Sequence, residues 1–281
     1  MKRVIFSLIT GVLFFATSCD KSSKESDPAP DDKPVDEVEV VNTIKVMAYN
    51  IHHANPPSKP DFIDINAIAN VIRTEKPDLV ALQEVDVNTI RSGTGNQAQQ
   101  LAAKLGMKYF FAKAIDYQGG EYGVAIVSKY PLSETVVHRL PTQAGSGGEP
   151  RVLATAIVTL PDGSAMRFGS THLDAQSDPA NRRLQIAKIA DIASAEKLPF
   201  IIAGDFNATS DSDVINTLDS QFRRTCLICS GTIPAANPTK AIDFIAYKHP
   251  TDKYSVANHK VVNEPYASDH RPIVAVIDIE E

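Results

Sequence analysis

Two stretches of this chain follow one plan at one spacing. The β-rich run Ile44 to Tyr49 ends at Asn50, and a helix with Ile65, Ile68, Val71 and Ile72 on one face is predicted over Asp61 to Lys76. Pro77 and Asp78 stop that helix. The continuous apolar run Leu79 to Leu82 then reads as a strand covered on both faces, ended by Gln83 and Glu84. The second stretch repeats this: Met166 to Ser170 leads to His172, a helix is predicted over Pro179 to Glu196, and Phe200 to Ala203 leads to Asp205. Asn50 and Glu84 stand 34 residues apart, His172 and Asp205 33. Ligand sites in α/β sheets lie beyond the carboxyl ends of strands, so polar residues at four such ends imply one shared site.

Between and after the two units lie further β-rich segments, Gly123 to Ser128, Thr135 to Leu140, Val152 to Leu160, Ala241 to Tyr247 and Ile273 to Ile279. Strands this numerous, with only three or four helices, predict an α/β four-layer sandwich. Two packed, mostly antiparallel or mixed sheets would carry helices on their outer faces.

The N-terminus has a different character. Lys2 and Arg3, the largely apolar run Val4 to Phe15, and Ala16-Thr17-Ser18-Cys19 have the layout of an export signal over residues 1–18, too short for a spanning helix. Small residues before Cys19 resemble a bacterial lipobox, which would make Cys19 a lipidated terminus in the cell envelope; an ordinary cleaved signal is the alternative. Residues 19–42 are rich in Ser, Asp, Glu, Lys and Pro and read as a disordered tether. That leaves 43–281 as one catalytic-sized domain with 23 basic and 26 acidic residues, too near neutrality for a global field that would hold nucleic acid. Three scattered cysteines make neither a disulfide scaffold nor a four-ligand zinc site, and Cys226 and Cys229 can be a disulfide or free thiols.

The strand-end residues suggest hydrolytic chemistry. Asn50 alone is also an ordinary turn residue. Glu84, ending a buried apolar strand, needs a cation or donors, and a hard divalent ion is a natural partner. In Gly204-Asp205-Phe206-Asn207, Asp205 can take a proton from water while Asn207 donates to an anionic oxygen, with an Asx turn or helix cap as the alternative. In Ser268-Asp269-His270 the adjacent acid and imidazole cannot easily orient each other. Asp269 is therefore free for a metal, and His270 needs a separate carboxylate, for which Asp243 in its apolar strand is the candidate. His172 supplies a second imidazole. His52 and His53 read as rim residues, Asp86 and Asp174 as solvated or outside the ligand set, and Arg151 as either facing the cleft or held in a structural ion pair.

Taken in order, the Asn, Glu, His, Asp-x-Asn, Asp and Asp-His elements resemble the endonuclease/exonuclease/phosphatase superfamily, the deoxyribonuclease I-like fold, over Ile44 to Ile279. The resemblance implies that Asn50, Glu84 and Asp269 surround Mg2+, or Mn2+, and that Asp205 and Asn207 position the nucleophile and phosphate. It likewise implies that His270, backed by Asp243, and His172 contact the phosphate. Relatives cleave nucleic-acid phosphodiesters, sphingomyelin-like head groups or phosphoinositide monoesters. The expectation is a metal-dependent phosphohydrolase for a compact phosphorylated small molecule or lipid head group, with nucleic acid not favoured. An exported nuclease and a non-catalytic surface lipoprotein that binds a ligand on this fold are the alternatives.

If the lipobox reading holds, Cys19→Ala releases the protein from the membrane fraction or leaves it unprocessed. Mass spectrometry showing an unlipidated mature terminus beyond residue 19 would contradict it.

Overall fold

The computed structural model describes residues 42–248 and 253–279, so the export signal, Cys19 and the tether up to residue 41 lie outside the described residues. Two six-stranded mixed sheets form the body. In chain order the first half contains β1 (Thr43–Asn50), α1 (Ile65–Glu75), β2 (Leu79–Val87), α2 (Gln97–Leu105), β3 (Lys108–Tyr117), β4 (Gly120–Ser128) and β5 (Leu132–Arg139). The second half contains β6 (Val152–Thr159), β7 (Ala165–His172), α3 (Ala180–Ala195), β8 (Phe200–Asp205), α4 (Asp213–Asp219), β9 (Arg223–Arg224), β10 (Asp243–Lys248), β11 (Tyr254–Val261) and β12 (Ile273–Ile279). The sheet orders are β11-β12-β1-β2-β4-β3 and β5-β6-β7-β8-β10-β9. Among the described residues, no helix is long and apolar enough to cross a membrane.

Period-two alternation separates the layers. Ile44, Val46 and Ala48 of β1 pack between the sheets with Leu79 and Ala81 of β2, Phe168 of β7, Ile201 and Ala203 of β8, and Ile245 and Tyr247 of β10. The alternate residues Met47, Tyr49, Val80 and Leu82 pack outward against Ile68 and Ile72 of α1 and Leu101 of α2. Phe200, Ile202 and Phe244 pack outward against Ile186 and Ile189 of α3 and Val214, Ile215 and Leu218 of α4. Both faces of each central strand are therefore apolar, which explains the unbroken hydrophobic runs in the sequence. Helix, sheet, sheet and helix follow one another, the expected four-layer sandwich.

Each predicted unit joins two parallel strands through a helix: β1 pairs with β2, and β7 with β8. Antiparallel β12 lies beside β1, and antiparallel β10 beside β8. The α1 boundary differs from the sequence reading because Asp64 caps the helix, accepting a hydrogen bond from Ala67 N at 3.0 Å, so 61–64 precedes it. The second strand also differs: it does not end at Gln83 and Glu84 but continues to Val87 through a β-bulge. Leu82 pairs with Ala125 and Val85 with Gly123, so Gln83 and Glu84 together oppose Val124 alone. Glu84 sits there with φ +56°. Neither α2 nor β3 was visible in the apolar pattern.

Gly123 is required where β4 passes the bulge, because a Cβ there would lie 2.1 Å from the Ala112 carbonyl oxygen of β3. Gly123→Ala should cost about 1–3 kcal/mol through overpacking. A thermal scan should show a Tm lower by about 2–10 °C; an unshifted Tm would contradict this tight approach.

Candidate active site

Strand parity places the polar residues. Asn50 continues the inward series of Ile44, Val46 and Ala48; Asp205 follows Ile201 and Ala203; His172 follows Phe168; Asp243 precedes Ile245 and Tyr247. All four project into the gap between the sheets, where the apolar packing stops at one end. Gln83 does the same and donates through Nε2 to Ser170 Oγ across the gap at 3.2 Å. Glu84 would face outward by parity, but the bulge makes it the extra residue and turns its carboxylate towards this end.

The groups then meet. Asn50 Nδ2 donates to Glu84 Oε1 and to Asp205 Oδ2, both at 3.1 Å, so one amide joins carboxylates from the two sheets. Ser268 Oγ donates to the Asn50 carbonyl at 2.7 Å, which fixes the start of the last strand beside the first. Asp243 Oδ2 accepts from Thr232 Oγ1 at 2.6 Å and meets His270 Nδ1 at 2.9 Å. His270 Nε2 is 3.7 Å and His172 Nε2 3.5 Å from Asp205 Oδ2, so two imidazoles and one amide converge on a single carboxylate oxygen. Asp205 Oδ1 accepts from Asn207 N at 2.8 Å, and Asn207 Nδ2 gives one hydrogen to the Leu173 carbonyl at 2.9 Å, leaving its other for a ligand.

Protonation follows from these contacts. Burial opposes charge on His270, but Asp243, then Asp205 and Asp269, outweigh it and raise the imidazole pKa to about 10. Burial, and after it Asp243, pushes Asp205 up to about 7 against the pull of His270 and the hydrogen bonds from Asn207 and Asn50. His172 is held neutral by burial, then by Arg151 and His270. The Arg151 guanidinium lies 3.2 Å from His172 Nδ1 and can only donate, so His172 carries its hydrogen on Nε2, towards Asp205.

The sequence-predicted residues Asn50, Glu84, His172, Asp205, Asp243 and His270 are thus brought together by direct contacts. Asn207 adjoins them through Asp205, and Asp269 through its charge on His270 and on the buried Tyr49 hydroxyl. Two readings had alternatives, and the contacts settle them. Asp86 and Asp174 are not solvated: Asp86 binds Arg91 with both oxygens at 2.7 and 2.9 Å, and Asp174 accepts from the Gln176 and Glu149 amides at 3.0 and 3.2 Å. Arg151 takes both of its proposed roles, bonding Glu149 at 3.0 Å as well as meeting His172. Cys226 and Cys229 form a disulfide, which resolves their open state. Sequence reasoning missed Thr232, whose partner Asp243 lies 11 residues further on with no shared motif to link them, and passed over His52 and His53. The ligating atoms of those two histidines and Glu84 lie within 4.8 Å of one another.

The donor set suits a hard divalent ion. Glu84 and Asp269 offer carboxylates, and the Asn50 side-chain oxygen Oδ1, which accepts from His52 N at 3.1 Å, keeps a second lone pair.

Comparisons with known proteins identify the family and the fold. A model of the "Endonuclease/Exonuclease/phosphatase family" matches residues 47–270. Protein cwh43 of Schizosaccharomyces pombe is 28% identical over 139 residues, 50% of this chain, but the chain spans only 14% of that relative's length. An endonuclease/exonuclease/phosphatase structure from Beutenbergia cavernae superposes with TM-score 0.70 at 22% identity, covering 85% of this chain and 72% of the other. A Bacteroides thetaiotaomicron mannosyl-6-phosphatase superposes with TM-score 0.66 at 18% identity, covering 83% and 99%.

The raised pKa values carry a stability consequence. The folded state holds protons that an unfolded chain releases, on Asp205 between about pH 3.8 and 7 and on His270 between about pH 6.5 and 10. Stability contributed by these protons is lost as pH rises through those windows. Asp243→Asn removes the charge that raises both groups. Its Tm should be lower at pH 6.5 yet fall less steeply towards pH 10 than that of the wild type; an equally steep fall would contradict the Asp243–His270 pairing.

Proposed function

The chain belongs to the endonuclease/exonuclease/phosphatase family, whose members are phosphoesterases, and we propose that it is a divalent-metal-dependent phosphohydrolase acting on a compact phosphorylated substrate. The observation that carries this reading is the Asn50 amide shared between Glu84 and Asp205. It sets a carboxylate suited to a metal beside one suited to receiving a proton.

Asn50, Glu84 and Asp269 would hold Mg2+ or Mn2+. When bound, the ion supplies positive charge that polarises the phosphoryl group. Asp205, with a pKa near 7, is ionised often enough at neutral pH to orient water and accept its proton. His270, kept cationic by Asp243, and the Nε2–H of His172 flank the same oxygen of Asp205, and a phosphate bound there receives a charged and a neutral donor. The second hydrogen of Asn207 adds a third. Near-neutral charge on residues 43–281 favours a small phosphate ester or lipid head group over a long polyanion, and a structural relative that is a mannosyl-6-phosphatase fits a compact substrate. The reading places the enzyme outside the cytoplasm, tethered through residues 19–42.

Turnover should be measured on sugar phosphates, phospholipid head groups, phosphoinositides and plasmid DNA at fixed metal and salt. Chelation should abolish it, and Glu84→Gln should raise the Mg2+ requirement at least about tenfold. Asp205→Asn should lower kcat by about 10²–10⁴-fold with little change in Tm. Metal-independent turnover would remove the proposal, and efficient, salt-sensitive nicking of DNA with negligible small-substrate hydrolysis would make an exported nuclease the better reading.

A further inference from the structure

The turn that follows Asn50 is built in a way that an ordinary surface loop does not require. His52, His53 and Ala54 have φ values of 45°, 43° and 58°, three consecutive left-handed residues with no glycine among them. Such backbone is disfavoured for residues with a Cβ and persists only where surrounding contacts impose it, often at ligand clamps. Here those contacts are visible. Asn50 Oδ1 accepts from His52 N at 3.1 Å, Ala54 N donates to the Ile51 carbonyl at 2.7 Å, and Gln97 Nε2 donates to the His53 carbonyl at 2.6 Å.

The turn brings together side chains that a strand would send to opposite faces. The two imidazole centroids are 4.5 Å apart, and their ligating atoms fall with that of Glu84 inside a 4.8 Å cluster. His52 Nδ1 lies 2.8 Å from the Asn55 carbonyl oxygen, which can only accept. Nδ1 therefore carries the hydrogen, and Nε2 presents its lone pair. A backbone carbonyl behind one ring nitrogen is the usual support for a metal-binding histidine. His53 Nδ1 is shielded from solvent and has no hydrogen-bond partner among the described residues, so a ring nitrogen beside Glu84 and His52 is left free to take a ligand. The neighbouring positive charge, Arg91, is paired to both oxygens of Asp86.

We propose that His52, His53 and Glu84 form a site for a borderline divalent transition ion of the Mn2+, Co2+ or Zn2+ class. Two imidazoles and one carboxylate select such ions over Mg2+, which prefers oxygen ligands and retained water. Bonds of about 2.0–2.2 Å place neighbouring ligands about 3–4.4 Å apart, within small side-chain rotations of the separations here. The site extends the metal centre of the proposed phosphohydrolase, with which it shares only Glu84.

The test is metal binding by the full chain, freed of metal and titrated with Co2+, Zn2+ and Mg2+ by calorimetry, with the visible absorption of Co2+ reporting nitrogen ligation. Wild type should bind Co2+ and Zn2+ more tightly than Mg2+. The His52→Ala/His53→Ala pair should weaken Co2+ and Zn2+ at least about tenfold and shift the Co2+ bands, while Mg2+ affinity is retained. Unaltered Co2+ affinity and bands in the pair would overturn the proposal. If the pair lowers the Tm, His53→Gln gives the same reading: weaker Co2+ binding supports the site and unaltered binding overturns it. Histidine-dependent Co2+ binding without hydrolysis of any phosphate ester would uphold this site and remove the phosphohydrolase reading. Hydrolysis with Mg2+ but no histidine-dependent Co2+ binding would do the reverse.

Discussion

One side-chain amide holds the two halves of the site at their working separation. Asn50 has two hydrogens on Nδ2 and spends them on Glu84 of one sheet and Asp205 of the other. Without that donor two carboxylates from opposite sheets would meet at the edge of an apolar gap with no hydrogen bond joining them. The amide can reach both only because the sheets pack with β1 opposite β8, and that packing is set by Ile44, Val46 and Ala48 against Ile201 and Ala203. Core packing and site geometry are thus a single constraint, read at different depths along the same strands.

At the site end, local backbone irregularity takes over from regular structure. A two-for-one bulge turns Glu84 out of its strand parity, Gly123 makes room for the neighbouring strands there, and three left-handed residues present His52 and His53. Each irregularity is fastened by hydrogen bonds from elements remote in sequence, such as Gln97 to His53. The polar network on the second sheet follows the same rule. Thr232 and Asp243 hold His270, and Arg151 fixes the tautomer of His172, so the groups nearest Asp205 have their protons placed before any ligand arrives.

Much of this was written in local pattern. The continuous apolar run Leu79 to Leu82 announced a strand covered on both faces, β-rich runs led to Asn50, His172 and Asp205, and the matched 34- and 33-residue intervals announced two equivalent strand–helix–strand units. Those signals are local because strand parity and helix periodicity are properties of short segments. The Asp243–His270 pair was legible from need alone, since an acid in an apolar strand and an imidazole without a neighbour each wanted a partner. Helix α2 and strand β3 were not, because their exposed and half-buried faces blur the apolar period.

By itself, then, the sequence determined the layer architecture, the ends of β1, β7 and β8 and the residue types gathered there. Only the tertiary structure decided how those residues point. Whether Glu84 faces the gap depends on the register of β2 against β4 and on one extra residue in that register. Whether His52 and His53 stay at the rim or join Glu84 depends on three backbone torsions imposed by Asn50 and Gln97. Whether Asp86 meets water or Arg91 depends on a loop closing over it. Register, bulges and strained turns are fixed by the balance of contacts between distant segments, and such a balance leaves no periodic trace in the order of the residues.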